Sequence, residues 1–570
     1  MKVYEKGGNR IWTLSNSTFL AGGGEGNVHV VGDTALKIYL DPGKMIAEGK
    51  ISDLASISDP NVIRPRDVIC NEKGKAIGYT MRYVPNTLTL CQLFPRSFRE
   101  REGLDHQKIL DLVRTMQQNV QNIHRAGVLV VDLNEMNTLV SQDFTQAFWI
   151  DVDSYQTRHF PATAIMPSVS DPLVKHGAFT EMSDWFSFGI IAFQLFIGIH
   201  PYKGKHPAIK GMEDRMAAGV SIFDPQVSVP KVCYSLDVIP AVYRDWFRAV
   251  FQDKKRVPPP SDLHAVAQIL QPLFRTMAST GHLTVQEIRR FESTIRSFFY
   301  SGNAGAEVVQ TDTGVWLGSS PVKAPISQSV QVGYTAVGGH AILAQLSTNQ
   351  IILTTAGTGE NIPFVSYADE VSSYEGRVYV RSHDQILEVL FTETQHPDGR
   401  PKIIAAPRVV CSVMERASHL FQGGVIQNML GSVYVSLFPR TKASYQIRLP
   451  ELDGLKVVES RFDSGVLMVT AAKKGVYTRF IFRFADDYLS YDMRKVEDIT
   501  PAGLNFVTLD SGVCVCLTED DRLELFSAKK GSAQIKVVDD KMLGGDMLLV
   551  KRGGRLGFVR GHTLYEMRMQ

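Results

Sequence analysis

Between Leu20 and Tyr39 the chain has little freedom in what it can fold into. Leu20-Ala21-Gly22-Gly23-Gly24-Glu25-Gly26-Asn27-Val28 runs into Val28-His29-Val30-Val31, a Gly32-Asp33 turn and Ala35-Leu36-Lys37-Ile38-Tyr39. Apolar β-formers on both sides of a Gly-Asp turn read as a hairpin. The glycines ahead of it let the backbone come close to another group. Taken alone, such a run fits a flexible turn as well as a phosphate cradle. Lys37 adds a constraint: its flanks Ala35, Leu36 and Ile38 are apolar, and a lysine in such a strand needs an anionic partner.

At 570 residues the chain exceeds what one hydrophobic core serves, so two or more domains are expected. Hydrophobic content of 44% and charged content of 21% describe a globular chain. A formal charge of +2 provides no field for nucleic acid or an anionic membrane, so neither is expected as a partner. Six cysteines form no C-x-x-C pair, and Cys514 and Cys516 would share one face of a strand. This usage points to a reducing compartment without structural zinc. Met1-Lys2-Val3-Tyr4-Glu5-Lys6 lacks the apolar run of a signal peptide. Trp185 to Ile199 is apolar but too short to span a bilayer, which needs about twenty residues. It reads as a buried core helix, and a cytoplasmic location is expected.

Residues 1–100 read as short strands with one helix near 43–55; from Leu104 to about Met277 the pattern is mainly helical. Leu110, Val113, Met116, Val120 and Ile123 recur at helical spacing. Pro258-Pro259-Pro260 precedes a last helix expected at 261–277. Thr284 to Tyr300 reads as a charged connecting helix, and Ser301-Gly302-Asn303-Ala304-Gly305 as its stop and a hinge. Beyond Gly305, β-rich runs such as Val378-Tyr379-Val380, Val433-Tyr434-Val435 and Val466-Leu467-Met468-Val469 dominate. Their beat of roughly 40–45 residues suits a β-propeller of about six blades, with a pair of β-sandwiches as the alternative. No ligand-spaced cluster or nucleophile motif occurs in this half. His340, His383, His396, His419 and His562 are scattered, so surface or packing roles are expected of them.

Further along lies Asp132-Leu133-Asn134-Glu135-Met136-Asn137-Thr138-Leu139-Val140, followed by Phe148-Trp149-Ile150-Asp151-Val152-Asp153-Ser154. By themselves Asp132 and Asn137 could be turn residues. Together with the hairpin lysine, in this order, the blocks resemble the eukaryotic-like protein kinase superfamily. Gly-Gly-Glu-Gly and Asp-Val-Asp-Ser are similar to a divergent bacterial branch of it, of the kind linked to stress and conflict gene clusters. Ser183-Asp184-Trp185-Phe186-Ser187-Phe188-Gly189-Ile190, Gly198-Ile199-His200-Pro201-Tyr202 and Gln252-Asp253-Lys254-Lys255-Arg256-Val257-Pro258 resemble the helix and closing segments of that fold.

The resemblance implies an α+β bilobal kinase-like domain over 1–278, with a small lobe at about 1–85 and a large lobe at about 86–278. A linker would occupy 279–304 and an all-β domain 305–570. It implies ATP and Mg²⁺ as cofactors and a Ser/Thr protein kinase activity. Asp132 would be the catalytic acceptor of the hydroxyl proton, and Lys37 would pair with Glu48. Gly22, Gly23, Gly24, Gly26, Val28, Ala35, Lys37 and the hinge residues Met81, Arg82, Tyr83 and Val84 would hold ATP, with Met81 as gatekeeper. Asn137 and Asp151 would take metal, and Asp153 is either a second ligand or a strand-end cap. Asp184 would bond the catalytic-loop backbone.

Several positions depart from the family pattern. Val130-Val131 replaces His-Arg, so phosphorylation of Thr157, Thr163, Ser168 or Ser170 lacks its usual arginine partner. Asn134 stands where a lysine is usual. Ala-Pro-Glu is missing, and Asp171 is placed to take the glutamate's part with Arg256. Two further readings stay open, a nucleotide-binding pseudokinase scaffold and a small-molecule kinase. The all-β domain is expected to dock a protein substrate or partner.

Overall fold

The computed structural model describes residues 1–569 except 163–164, 176, 262–280, 302–305, 323–328, 336–338, 396–400 and 440–443. The chain divides into two compact units. One is Met1–Phe274 with Ala472–Tyr477 and Asp498–Gly503; the other is Arg275–Ala471 with Thr478–Glu497 and Leu504–Gln570.

The first unit is mixed α/β. Strands β1 (Lys2–Glu5), β2 (Ile11–Thr13), β3 (Phe19–Gly22), β4 (Gly26–Val31), β5 (Thr34–Tyr39), β6 (Val68–Cys70) and β7 (Ala76–Arg82) form one sheet in the order β2-β1-β6-β7-β5-β4-β3. One face buries Val3, Trp12, Leu14, Leu36, Ile69 and Ile77; Tyr39 and Tyr79 cluster with Ile51 of helix α1 (Glu48–Leu54). The expected β4–β5 hairpin pairs Val31 with Thr34 through Gly26 with Tyr39. Two glycines are required by how closely the strands pass. A Cβ at Gly26 would lie 2.5 Å from the Ile38 carbonyl oxygen, and one at Gly78 would lie 2.0 Å from that of Lys37.

The rest of this unit is mainly helical. A three-stranded sheet joins β8 (Thr87–Thr89), β9 (Thr138–Ser141) and β10 (Ala147–Trp149). Helices α2 (Arg96–Glu102), α3 (His106–Arg125), α4 (Glu181–Ile197), α5 (Met212–Ala218) and α6 (Ala241–Phe251) follow. α3 is capped by Asp105, whose carboxylate accepts from Lys108 N at 2.8 Å, and it buries the expected stripe of Leu110, Val113, Met116, Val120 and Ile123. The apolar run is α4: a Thr180–Ser183 capping box starts it, Gly198 at φ 88° ends it, and every residue from Ser183 to Ile197 is buried. Each large side chain so buried contributes about 1.5–3 kcal/mol. No described helix is long and apolar enough to cross a membrane. The helix expected at 261–277 lies, beyond Ser261, outside the described residues.

The second unit holds many sheets. Among the described residues there are seven, each of four antiparallel strands, against the roughly six expected from the repeat. Six take consecutive strands, within 295–321, 331–362, 370–412, 418–448, 456–496 and 506–539. The seventh joins β11 (Leu283–Arg290) to the last three strands, Met547–Arg552, Arg555–Arg560 and Thr563–Met569. The connecting helix expected at 284–300 is therefore two strands, Leu283–Arg290 and Ile295–Ser301. The charged pattern fits either periodicity over so short a stretch. Pairing of Leu283 with Met569 through Arg290 with Thr563 selects the extended form.

Neighbouring sheets share buried side chains in chain order. Val308 shares a core cluster with Val332, Ile342 with Val380, Tyr379 with Val425 and Val469, Val466 with Cys514, and Val515 with Leu549; Val550 shares one with Val309. Cys514 and Cys516 lie together in one of these clusters, on one strand face, and no disulfide occurs among the described residues. A side chain in or just before the first strand of one sheet also accepts a main-chain N–H of the next. Gln331 takes Ser373 N at 2.8 Å, Glu370 Leu420 N at 2.6 Å, Asp463 Thr508 N at 2.6 Å and Asn505 Leu549 N at 2.9 Å.

Glu370 also meets His419 Nδ1 at 3.0 Å and Arg381 Nε at 3.3 Å. Burial works to raise its pKa, but His419 and Arg381 hold it down at about 2. A carboxyl depressed in the fold stabilises above its unfolded pKa and loses that contribution as pH falls through the folded value. The denaturant midpoint of wild type should therefore fall between about pH 4.5 and 2, by on the order of 1–3 kcal/mol from this group. Glu370→Gln should flatten that limb in urea titrations at stepped pH.

Candidate functional site

Three strands place Lys37 at the centre of the sheet, with Val28 opposite on β4 and Tyr79 opposite on β7. Its side chain is 9% exposed. Nζ lies 2.8 Å from Asp151 Oδ1, 2.7 Å from Asp153 Oδ2 and 3.6 Å from Glu25 Oε2. Burial opposes the ammonium charge, but Asp151 and Asp153 outweigh it and hold its pKa above the usual lysine range. The anion that the sequence demanded is thus a pair of carboxylates.

That pair comes from the end of β10. After Trp149 the strand stops: Asp151 takes the left-handed conformation at φ 60°, and Val152–Ser154 form a short 3₁₀ turn. The turn, and not a continued strand, aims both carboxylates at Lys37. Asp153 is buried and also accepts from Tyr39 OH at 2.5 Å. Although burial works to raise its pKa, Lys37 and Tyr39 keep it below the usual range. Asp151, with 40% of its side chain exposed, is pushed up to about 6 by burial against the pull of Lys37, and by the neighbouring Asp153 charge.

Glu25, Asp151 and Asp153 each offer a carboxylate oxygen, and these oxygens lie within 4.8 Å of one another. Asp153 Oδ1 is buried and has no hydrogen-bond partner. An all-oxygen, anionic donor set with one unsatisfied oxygen fits a hard divalent cation such as Mg²⁺. Glu25, at the tip of the glycine-rich loop, was not anticipated from sequence. Its place among the glycines, opposite the lysine, was the available signal. A Cβ at Gly24 would meet nothing within 4 Å, and one at Gly23 only the Gly26 carbonyl at 4.0 Å, so the protein itself leaves the space over this loop open.

Asp132 and Asn137 stand together on the turn before β9. Asn137 Nδ2 donates to Asp132 Oδ2 at 3.2 Å, and Asn134 Oδ1 closes the turn by accepting from Met136 N at 2.8 Å and Asn137 N at 3.0 Å. Ile150 N donates to the Asn137 carbonyl at 2.9 Å, so the Asn137 and Asp151 backbones adjoin. Asp132 Oδ1 accepts from Met166 N at 2.7 Å. Beneath them, Asp184 takes Val130 N at 2.8 Å and Val131 N at 2.9 Å, with His124 Nε2 2.9 Å away. Val131 needs this support, since its φ of 62° is unfavourable for a β-branched residue. Arg256 grips Asp171 with Nε and Nη2, each at 2.6 Å. Buried Glu135, its pKa raised by burial, accepts from Tyr477 OH at 3.2 Å within the same unit.

Not every expected residue reaches the site. Glu48 pairs with Lys6 on the protein's surface, both side chains 51% exposed, and not with Lys37. On α1 the inward positions are Lys50, Ile51 and Leu54, and Glu48 falls on the other side. Lys50, overlooked in the sequence although its spacing to Leu54 puts both on one face, is 2% exposed and donates to the Pro161 carbonyl at 3.3 Å. Burial lowers its pKa against the charge of Asp153. Glu48→Gln should consequently leave the unfolding midpoint as in wild type, measured by thermal melts.

Among the hinge residues, Ala35 is opposite Met81, which packs against the Tyr39–Ile51–Tyr79 cluster. Tyr83 N donates to the Asp33 carbonyl at 3.0 Å, and Val84 is half-buried. Arg82 points elsewhere: Nη2 donates to the Pro60 carbonyl at 2.6 Å and the guanidinium lies 5.6 Å over the Phe148 ring. Only its backbone is available to a ligand on the Lys37 face.

No family model matches the chain. Human myosin light chain kinase family member 4 is 25% identical to it over 217 residues, which cover 35% of this chain. They make up 54% of that protein, so the chain spans about half the length of the curated relative it matches.

Proposed function

We propose that the first unit is an ATP- and Mg²⁺-dependent protein kinase directed at serine or threonine, and that the second is a seven-bladed β-propeller that docks its protein substrate or partner. One observation carries the reading: Lys37, Asp151 and Asp153 form a bonded cluster, and Asp132 and Asn137 form another on a loop held from below by Asp184. Distant, partial similarity to a kinase family member agrees with it.

In this reading Lys37 neutralises phosphate oxygens beneath the open glycine loop, and Asp132 orients the acceptor hydroxyl and takes its proton. Asp151 and Asp153, with Asn137 or Glu25 completing the set, would hold Mg²⁺, which when bound offsets the charge on the phosphates. The closed succession of shared cores, from Val308–Val332 round to Val550–Val309, favours a ring of blades over two sandwiches.

A nucleotide-binding switch without transfer is the second reading, and Met166 favours it. Its N–H occupies the Asp132 oxygen that a substrate hydroxyl would need. Transfer of labelled γ-phosphate from ATP by the full chain, with and without Mg²⁺ and beside Asp132→Asn, separates the two. Metal-dependent transfer by wild type alone supports the kinase; nucleotide binding without transfer supports the switch.

A further inference from the structure

The segment between α1 and β6 carries a second concentration of charge. Tyr79 and Met81 belong to the cluster beside Lys37, and strand alternation sends Thr80 and Arg82 to the other side. Arg82 reaches the carbonyl of Pro60, where the segment from α1 to β6 runs Pro60-Asn61-Val62-Ile63-Arg64-Pro65-Arg66. Pro65 keeps Arg64 out of the helical region. Ile63 and Pro65 are buried, Arg64 is half-buried and Arg66 exposed, so both guanidiniums leave the segment on one side. Ile63 N to the Trp149 carbonyl and Arg66 N to the Thr80 carbonyl, each 2.8 Å, pin the backbone. Arg64, Arg66 and Arg82 line one cavity of about 450 Å³ with Asp59, Pro60 and Val62.

The positive charge there is not balanced from within. Arg82 has the Pro60 carbonyl, but among the described residues the side chains of Arg64 and Arg66 make no hydrogen bond or ion pair. Asp59 is the carboxylate lining the cavity and offsets one of the three charges; its Oδ1 accepts from Asn61 N at 2.9 Å, and Oδ2 from Asn119 and Asn122 at 3.0 and 2.7 Å. Burial, then the nearby Arg66 charge, lowers the Arg82 pKa, as expected of facing like charges.

We propose that this cavity binds a phosphoryl dianion, carried by free phosphate or by a phosphorylated serine. The forks of Arg64 and Arg66, with the Arg82 donors that Pro60 leaves, match the oxygens of a tetrahedral phosphoryl group better than the two of a planar carboxylate. The site is separate from the Lys37 cluster and does not depend on the kinase reading.

The test titrates the full chain with inorganic phosphate, and with a phosphoserine peptide beside its unphosphorylated form, at ionic strength held constant with chloride. Phosphate should bind wild type above the chloride control. The double variant Arg64→Gln/Arg66→Gln should weaken it at least tenfold, and Arg64→Lys/Arg66→Lys should fall between. Both side chains reach solvent, so circular dichroism and the phosphate-free melting point should match wild type. Peptide binding at least tenfold tighter than phosphate assigns the side-chain source; equal affinity assigns free phosphate. Binding that survives Arg64→Gln/Arg66→Gln, or that does not exceed the chloride control, overturns the proposal.

Discussion

Asp132→Asn should lower single-turnover transfer from ATP by about 10²–10⁴-fold while nucleotide affinity stays within about twofold of wild type. Both oxygens of the carboxylate face donors, Met166 N and Asn137 Nδ2. An amide keeps one acceptor and turns an N–H₂ toward the other donor, so the proton acceptor is lost and the loop geometry is disturbed at one bond. Nucleotide affinity should persist because the Lys37 cluster is built from other elements, β5 and the turn after β10. Quench-flow transfer and calorimetry on one preparation read the two effects separately. Transfer at the wild-type rate in this variant would remove Asp132 from the chemistry.

The second large effect separates two neighbours. Asp153→Ala should destabilise the first unit by about 3–5 kcal/mol, the cost of breaking a buried charge pair. It leaves Tyr39 OH without its acceptor and Lys37, 9% exposed, with one fewer counter-charge. Asp151→Ala, at a side chain 40% exposed, should move the urea midpoint far less and abolish the Mg²⁺ dependence of nucleotide binding. From sequence Asp153 is either a second metal ligand or a strand-end cap; its burial and bonds to both Lys37 and Tyr39 give it the larger structural share. Because burial and the neighbouring Asp153 charge raise the Asp151 pKa, Mg²⁺-dependent binding should weaken toward acid pH, where the ligand takes a proton. Equal midpoints for the two variants would contradict this division.

Much of the site was legible along the chain because its parts are local. The β4–β5 hairpin, the Asp132–Asn137 turn and the capped α4 each follow from residues a few positions apart, where turn chemistry and periodicity act. Long-range choices were not. Glu48 and Lys50 sit on one short helix, and only packing of α1 against the sheet puts Lys50 inside and leaves Glu48 to Lys6. Residues 283–301 read as a helix until strands from the far end of the chain pair with them.

By itself, then, the sequence determined which chemical groups are present and how each local element begins and ends, since turns, caps and stripes are set by short-range sterics and hydrogen bonding. Tertiary structure alone decided which groups meet. Lys37 finds Asp153 in place of Glu48, and Glu25 folds toward the same lysine. Asp132 receives Met166 N, and Arg82 leaves the site for the opposite sheet face. Such pairings depend on burial and on strand register between distant segments, where a shift of one residue exchanges the faces of a strand.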